Sequence, residues 1–200
     1  MTQSLSPARY TAVAVVLHWL VAIGIFYNLW AGLGFDDLWA AVDKGALPAE
    51  TARAAVELHK SIGITVLGLV VLRVLWKIGH PAPAPLAGLK PWEKKLSIGI
   101  HHLLYLLIVL VPFSGWLHDS AWKAAASHPL VLFNTVPWFR LPLFGGLDDA
   151  GKDHWHAIFG GIHAIGAKVL IAALLLHVAG ALKHQFLDGQ KLLQRMWFGR

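Results

Sequence analysis

The chain has 200 residues, is 56% hydrophobic and only 14% charged, and contains no cysteine. Its mean hydropathy of +0.57 is too high for an ordinary soluble domain of this size. The missing thiols exclude disulfides, Cys-ligated clusters and covalent C-x-x-C-H cofactor attachment, and the net charge of +6 lacks the basic stripe interleaved with aromatics that a nucleic-acid surface needs.

The first apolar segment spans about residues 11–35. Its run is longer than a signal-peptide core and lacks a small-x-small cleavage site, so it reads as a retained span; it carries His18 within VVLHWLVAIG. The second, about 55–78, carries His59 and Lys60 within ELHKSIGITV, and later Arg73. A proline-rich, basic linker follows, HPAPAPLAGLKPWEKK, whose prolines favour a stiff extended crossover. The third span, about 96–118, begins near His101 and His102, of which at most one faces a bundle core. A loop at 119–159 concentrates Trp122, Trp138, Trp155, Phe133 and Phe139; an aromatic interfacial belt is the simpler reading, and a cap over one end of the bundle the other. The fourth span, about 160–187, carries His163 and His177. Each segment meets the requirement of about 20 mostly apolar residues. The expected fold is all-α, one integral-membrane domain over residues 1–200 built as a polytopic four-helix bundle.

Charge sets the expected orientation. The N-tail, the proline-rich linker and the C-tail hold nine basic residues: Arg9, Lys77, Lys90, Lys94, Lys95, Lys183, Lys191, Arg195 and Arg200. The other two loops are longer and hold five: Lys44, Arg53, Lys123, Arg140 and Lys152. The positive-inside rule therefore predicts both termini in the cytoplasm.

Ionisable side chains inside a span are costly and are read first as functional. His163 and His177 are fourteen positions apart, which returns to nearly the same helix face about 21 Å further along. His18 lies seven residues into an outward-running span, at the depth of His177, and His59 opens an inward-running span at the depth of His163. Two imidazoles at each of two depths predict two bis-histidine haem groups held without covalent bonds, His18 with His177 and His59 with His163. Small residues at helical spacing (Ala14, Ala22, Gly63, Gly166, Ala167, Ala173, Gly180, Ala181) clear space for a flat cofactor or simply pack helices. Lys60 and Arg73, and with less reason Lys168, are candidate counter-charges for haem propionates, snorkelling being the alternative. His154 and His156 fall in the headgroup region on this register, and His80, His118, His128 and His184 fall in loops or at ends.

These residues resemble the bacterial cytochrome b561 family. The matching pieces are LHWL at 17–20, LHKSIG at 58–63 with VLRVLWK at 71–77, LYLLIVLVPFSGW at 104–116, and IHAIGAKVLIAALLLHVAGALKHQF at 162–186 followed by LLQRM. The resemblance implies a multi-pass protein of the bacterial inner membrane, haem b ligated by His18, His59, His163 and His177, and electron exchange between the quinone pool and a small redox donor or acceptor. Departures are the long aromatic loop and the single His184–Gln185 where many members carry paired histidines. A haem b anchor subunit of a larger dehydrogenase or hydrogenase, with a protein redox partner, is the competing reading. A histidine-based transporter would show broken helices or polar pore faces, and no Ser–His–Asp, HExxH, P-loop or Rossmann pattern occurs. Whether the chain acts as an enzyme in its own right is left open by the sequence.

Overall fold

The computed structural model describes residues 9–84 and 88–197. Arg200 and linker residues 85–87 lie outside the described residues. Helix α1 runs Ala12–Leu33, the short α2 Phe35–Asp43, α3 Ala49–Gly79, α4 Pro91–Ser120 and α5 Asp149–Leu182; a two-residue-per-strand hairpin joins β1 (Val131–Leu132) to β2 (Val136–Pro137). Among the described residues, four helical stretches are long and apolar enough to cross a membrane. The protein is a helical bundle with large apolar side chains turned outward: Ile23, Trp30, Leu75, Ile78, Leu175 and Leu182 are all exposed. Such an exterior suits lipid, where burial of apolar surface gives no inside-out bias.

Three of the helices start earlier than hydropathy predicts. α3 begins at Ala49 rather than residue 55, α4 at Pro91 rather than 96, and α5 at Asp149 rather than 160. For α4 and α5 the reason is capping chemistry, which hydropathy does not weigh. Asp148 accepts the backbone N–H of Gly151 at 2.8 Å, and the Lys90 backbone N–H donates to Glu93 at 3.0 Å with Pro91 preset at the first helical position. α1 has its own cap, the Thr11 hydroxyl accepting from Ala14 N–H at 3.2 Å.

The centre of the bundle is an apolar layer of Val21, Ile25, Val66, Val70, Leu107, Ile108, Val111, Leu170 and Ala173. Two glycines let backbones close on it. A Cβ at Gly24 would lie 2.5 Å from Val66 of α3, and one at Gly166 would lie 3.0 Å from Val111 of α4. Gly166 and Ala173 thus serve helix packing, the plainer of the two readings their spacing allowed.

The two ends of the bundle differ. One end gathers the start of α1, the end of α3, the start of α4 and the C-terminal segment. There Trp76 Nε1 donates to Thr11 Oγ1 at 2.8 Å, Trp19 Nε1 to the Met196 carbonyl at 2.8 Å, and Lys183 Nζ to Glu93 at 2.6 Å. Lys183 also donates to Asp188, and this bond, with that of His184, holds the Asp188 carboxyl below the usual carboxylate range. We call this the terminal end. The opposite, capped end is covered by the loop between α4 and α5. Its hairpin places Phe133 and Asn134 at φ 51° and 54°, the left-handed pair that closes tight hairpins but suits a phenylalanine poorly. The Phe133 N–H is pinned by the buried Ser61 hydroxyl of α3 at 2.9 Å.

Candidate functional site: two histidine layers

At the terminal end, α1 and α5 bring His18 and His177 to a ring-centre separation of 6.4 Å, at 71° between planes. Fourteen residues back along α5, His163 faces His59 of α3 with ring centres 6.0 Å apart and planes at 80°. Metal–imidazole bonds near 2 Å, extended to the ring centre on each side, put two imidazoles sharing one metal about 6 Å apart. Both separations agree with that figure. The structure therefore brings together the residues that depth had paired.

The surroundings of each ring explain its pose. The Nδ1–H of His163 donates to the Val111 carbonyl at 2.8 Å. A ring held through Nδ1 presents Nε2 to a metal, the arrangement found around ligating histidines. The ring fits because position 115 is glycine: a Cβ there would lie 2.9 Å from His163 Nδ1. The sequence VPFSG at 111–115 is thus a docking notch for this imidazole, and sequence reasoning did not find it. His59 packs against Phe35 of α2, ring centres 5.1 Å apart, and approaches Gly32, whose missing Cβ would lie 3.5 Å from His59 Cε1.

A third ring joins the terminal-end layer. His101 of α4 lies 5.2 Å from His177, centre to centre, and its Nδ1 is engaged by the Ser97 carbonyl at 2.6 Å. Its neighbour His102 bonds the Ile98 carbonyl at 2.9 Å. Arg73 donates to the Ala14 carbonyl at 3.2 Å and lies 6.0 Å from the centre of the Tyr105 ring.

His156 belongs to a different pair. It stacks on His118, ring centres 3.7 Å apart and planes at 21°, and each Nδ1 bonds the other residue's carbonyl at 2.8 Å. Gly160 makes room for that stack, since a Cβ there would come within 2.9 Å of the His118 ring. The two histidines join the end of α4 to the first turns of α5, a partnership invisible to depth arguments.

Lys60 is committed to carboxylates. It meets Glu57 at 2.7 Å and Asp119 at 2.8 Å, and Asp119, only 8% exposed at its side chain, also takes Arg140 Nε at 2.8 Å. Arg140 further donates to the carbonyls of Ala125 and His128 at 3.0 and 2.6 Å. This network, with Leu141 N–H on Ser120 and Trp116 Nε1 on the Phe139 carbonyl, ties the aromatic loop down over the His59–His163 layer. At the rim, Lys123 pairs with Asp153 at 2.8 Å, which holds its ammonium above the usual lysine range.

The donor set suits a macrocyclic cofactor. Among the described residues no group of three or more His, Cys, Asp or Glu side chains is placed to hold a bare metal ion. Paired imidazoles suffice where a porphyrin supplies the other four nitrogens. His59 Nδ1 is moreover buried with no hydrogen-bond partner, a ring still lacking one of its polar contacts.

Fold and site define a polytopic membrane bundle with imidazole pairs at two depths, the construction of a membrane cytochrome. The chain belongs to the prokaryotic cytochrome b561 family, whose profile matches residues 9–199. It is 34% identical to Cytochrome b561 homolog 2 of Escherichia coli (strain K12) over 196 residues, covering 96% of this chain and 92% of that one. It is 27% identical to Cytochrome b562 of Cereibacter sphaeroides over 94% of both chains. A shorter match, 24% identical over 58% of this chain and 63% of the other, is to a Yersinia pestis protein named "Probable superoxide oxidase CybB". The protein is accordingly a multi-pass bacterial membrane protein of the b-type cytochrome class. Family membership implies haem b and electron transfer in the membrane.

Proposed function

We propose that the chain holds two haem b groups, one between His18 and His177 and one between His59 and His163. Through them it exchanges electrons between the quinone pool and a small redox partner at the capped end. The observation that carries this reading is the pair of ring separations, 6.4 and 6.0 Å, on opposite sides of one apolar layer. When bound, haem supplies one-electron iron chemistry whose potential follows axial ligation and burial.

The chain's own residues do the rest. The four imidazoles would bind and orient, and the central layer excludes water between the two depths. Arg73 is the counter-charge offered to propionates at the terminal end. Lys60 has three donors, of which Glu57 and Asp119 take two; the third is its contribution at the capped end. The clamped aromatic loop favours a small reactant there over a docking protein. Superoxide, the substrate in one relative's name, is of the right size and class. Two superoxide anions giving up one electron each would yield two dioxygen, and one quinone with two protons would become quinol. Charge supports termini in the cytoplasm, and the family supports a place in the bacterial inner membrane.

The deciding measurement is a pyridine haemochrome count together with stopped-flow absorbance of the purified protein. About two haems per chain, reduced by a quinol analogue or oxidised by a quinone without a second subunit, is the expected result. One haem per chain would remove a layer. Haem bands that respond only to a co-purified protein would favour the anchor-subunit reading.

A further inference from the structure

We propose that the outward face of α5 around Lys168 docks a transmembrane helix of a different protein, one that carries an Asp or Glu side chain near the middle of its span. Lys168 is the middle residue of the 39-residue helical stretch Asp149–Leu187 and lies between His163 and His177. With those two levels placed evenly in a hydrocarbon core about 30 Å thick, it stands about 12 Å from the nearer boundary. A lysine side chain reaches about 6 Å, so snorkelling still leaves its ammonium in hydrocarbon. A charge at that depth is costly and calls for a partner.

The bundle does not supply one. Gly166, Leu170 and Ala173 form the buried face of α5. At about 100° per residue, Lys168 is turned about 140° or more from each of them and from His163 and His177. That rotation takes it away from the haem layers as well as from the core. Lys168 is exposed, as are Ile165 and Leu175 beside it. Among the described residues it makes no hydrogen bond, ion pair or ring contact. The other cations of the spans are engaged: Lys60 with Glu57 and Asp119, Arg73 with the Ala14 carbonyl, Lys77 with the Tyr105 ring.

The surrounding face admits a helix. Ala164 and Ala172, one turn to either side, and Gly161 and Ala179 beyond them lie within about 40° of Lys168 and are exposed. A Cβ at Gly161 would meet nothing within 4 Å. Small residues let a second backbone approach closely in a membrane, and here they bring it to the ammonium. A second copy of this chain does not fit. None of its eleven acidic residues falls between the two histidine levels, and a two-fold contact would set Lys168 against Lys168. A quinone would leave the charge uncompensated, and the outer face of a helix lacks the concavity that small molecules need. The partner sits beside the bundle at mid-depth, away from the capped end, so it serves assembly rather than electron delivery.

The test uses the full-length haem-loaded protein in phosphatidylcholine vesicles with a dye-labelled leucine–alanine transmembrane peptide, whose dye the haems quench on association. A peptide with one central Asp should bind about tenfold more tightly than the same peptide with Leu there. Lys168→Met should abolish that preference and leave both haem bands unchanged. Lys168→Glu should transfer the preference to a peptide with a central Lys; should that variant not assemble, Lys168→Met alone decides. Equal binding of the Asp and Leu peptides to the native chain, or an Asp preference that survives Lys168→Met, would overturn the proposal. So would loss of a haem from Lys168→Met, which would return the lysine to a propionate. Binding of a quinone analogue that disappears in Lys168→Met, with no peptide bound, would give the face to quinone instead.

Discussion

The imidazole of His163 occupies the space that a side chain at position 115 would fill. Its Nδ1 would lie 2.9 Å from a Cβ placed on Gly115. That spacing is shorter than any real carbon–nitrogen contact between unbonded side chains, and the atom in the way is a ring nitrogen already hydrogen-bonded to Val111 at 2.8 Å. Ring and notch are therefore one unit, and substitution at 115 acts on the histidine.

Gly115→Ala should lower retention of the capped-end haem by about 10–100-fold, the usual cost of disturbing the support of a metal ligand. Haem titration of the apoprotein with visible absorbance would measure it. Gly99→Ala on the same helix is the control, since a Cβ there meets nothing within 4 Å, and it should bind as the native chain does. Equal affinity in both variants would show that His163 does not need its notch.

Loss of either imidazole of a pair should open the same site. His18→Ala and His177→Ala should remove one and the same haem, and His59→Ala and His163→Ala the other, read from the split of the visible bands and the haem count. His101→Ala should keep both, although its ring is nearer to His177 than His18 is, 5.2 against 6.4 Å. A haem lost from His101→Ala would reassign the terminal-end pair.

Asp119 neutralises two cations while almost fully buried. Asp119→Asn would leave Lys60 and Arg140 without their shared counter-charge, a change that costs about 3–5 kcal/mol when a buried pair is broken. The 121–148 loop should become sensitive to limited proteolysis, and the capped-end haem should be lost at a lower temperature. Arg140→Lys keeps the charge but not the fork of donors that also holds Ala125 and His128, so a smaller effect of the same kind is expected.

Orientation is read from the excess of Lys and Arg on the segments that gather at the terminal end. Reporter fusions after Trp92 and after Arg200 should both report the cytoplasm, and one after Asp148 the periplasm. The opposite pattern would exchange the faces assigned to the two histidine layers.

Hydropathy made the four spans legible, because a lipid-facing helix must be apolar over most of its length. It missed their first turns for the same reason: Pro91, Glu93, Asp148 and Asp149 are polar or helix-breaking in composition, yet they cap and start helices. The placing of His18, His59, His163 and His177 at two levels followed from counting residues along antiparallel helices. What counting could not supply was rotation about the helix axes. Gly115, the Val111 carbonyl and Gly32 matter only because α4 and α1 turn those positions toward particular rings. His118 and His156 looked like residues at helix ends, and only the close approach of α4 and α5 at Gly160 makes them partners. The tie of Lys60 to Asp119 likewise depends on a contact from outside its own helix, unlike its pair with Glu57 one turn back.

The apolar layer between the two histidine levels is also an insulator in an electric field. Fourteen residues of α5 separate the levels by about 21 Å, about two-thirds of a hydrocarbon core about 30 Å thick. One elementary charge crossing the whole core against 100 mV costs about 2.3 kcal/mol, so a passage between the levels carries about 1.6 kcal/mol of that. With the termini in the cytoplasm, an inside-negative membrane opposes electrons that travel from the capped end to the terminal end and favours those travelling outward. An energised cell would then restrain inward flow by more than tenfold at equilibrium relative to a depolarised one, with no change in any residue.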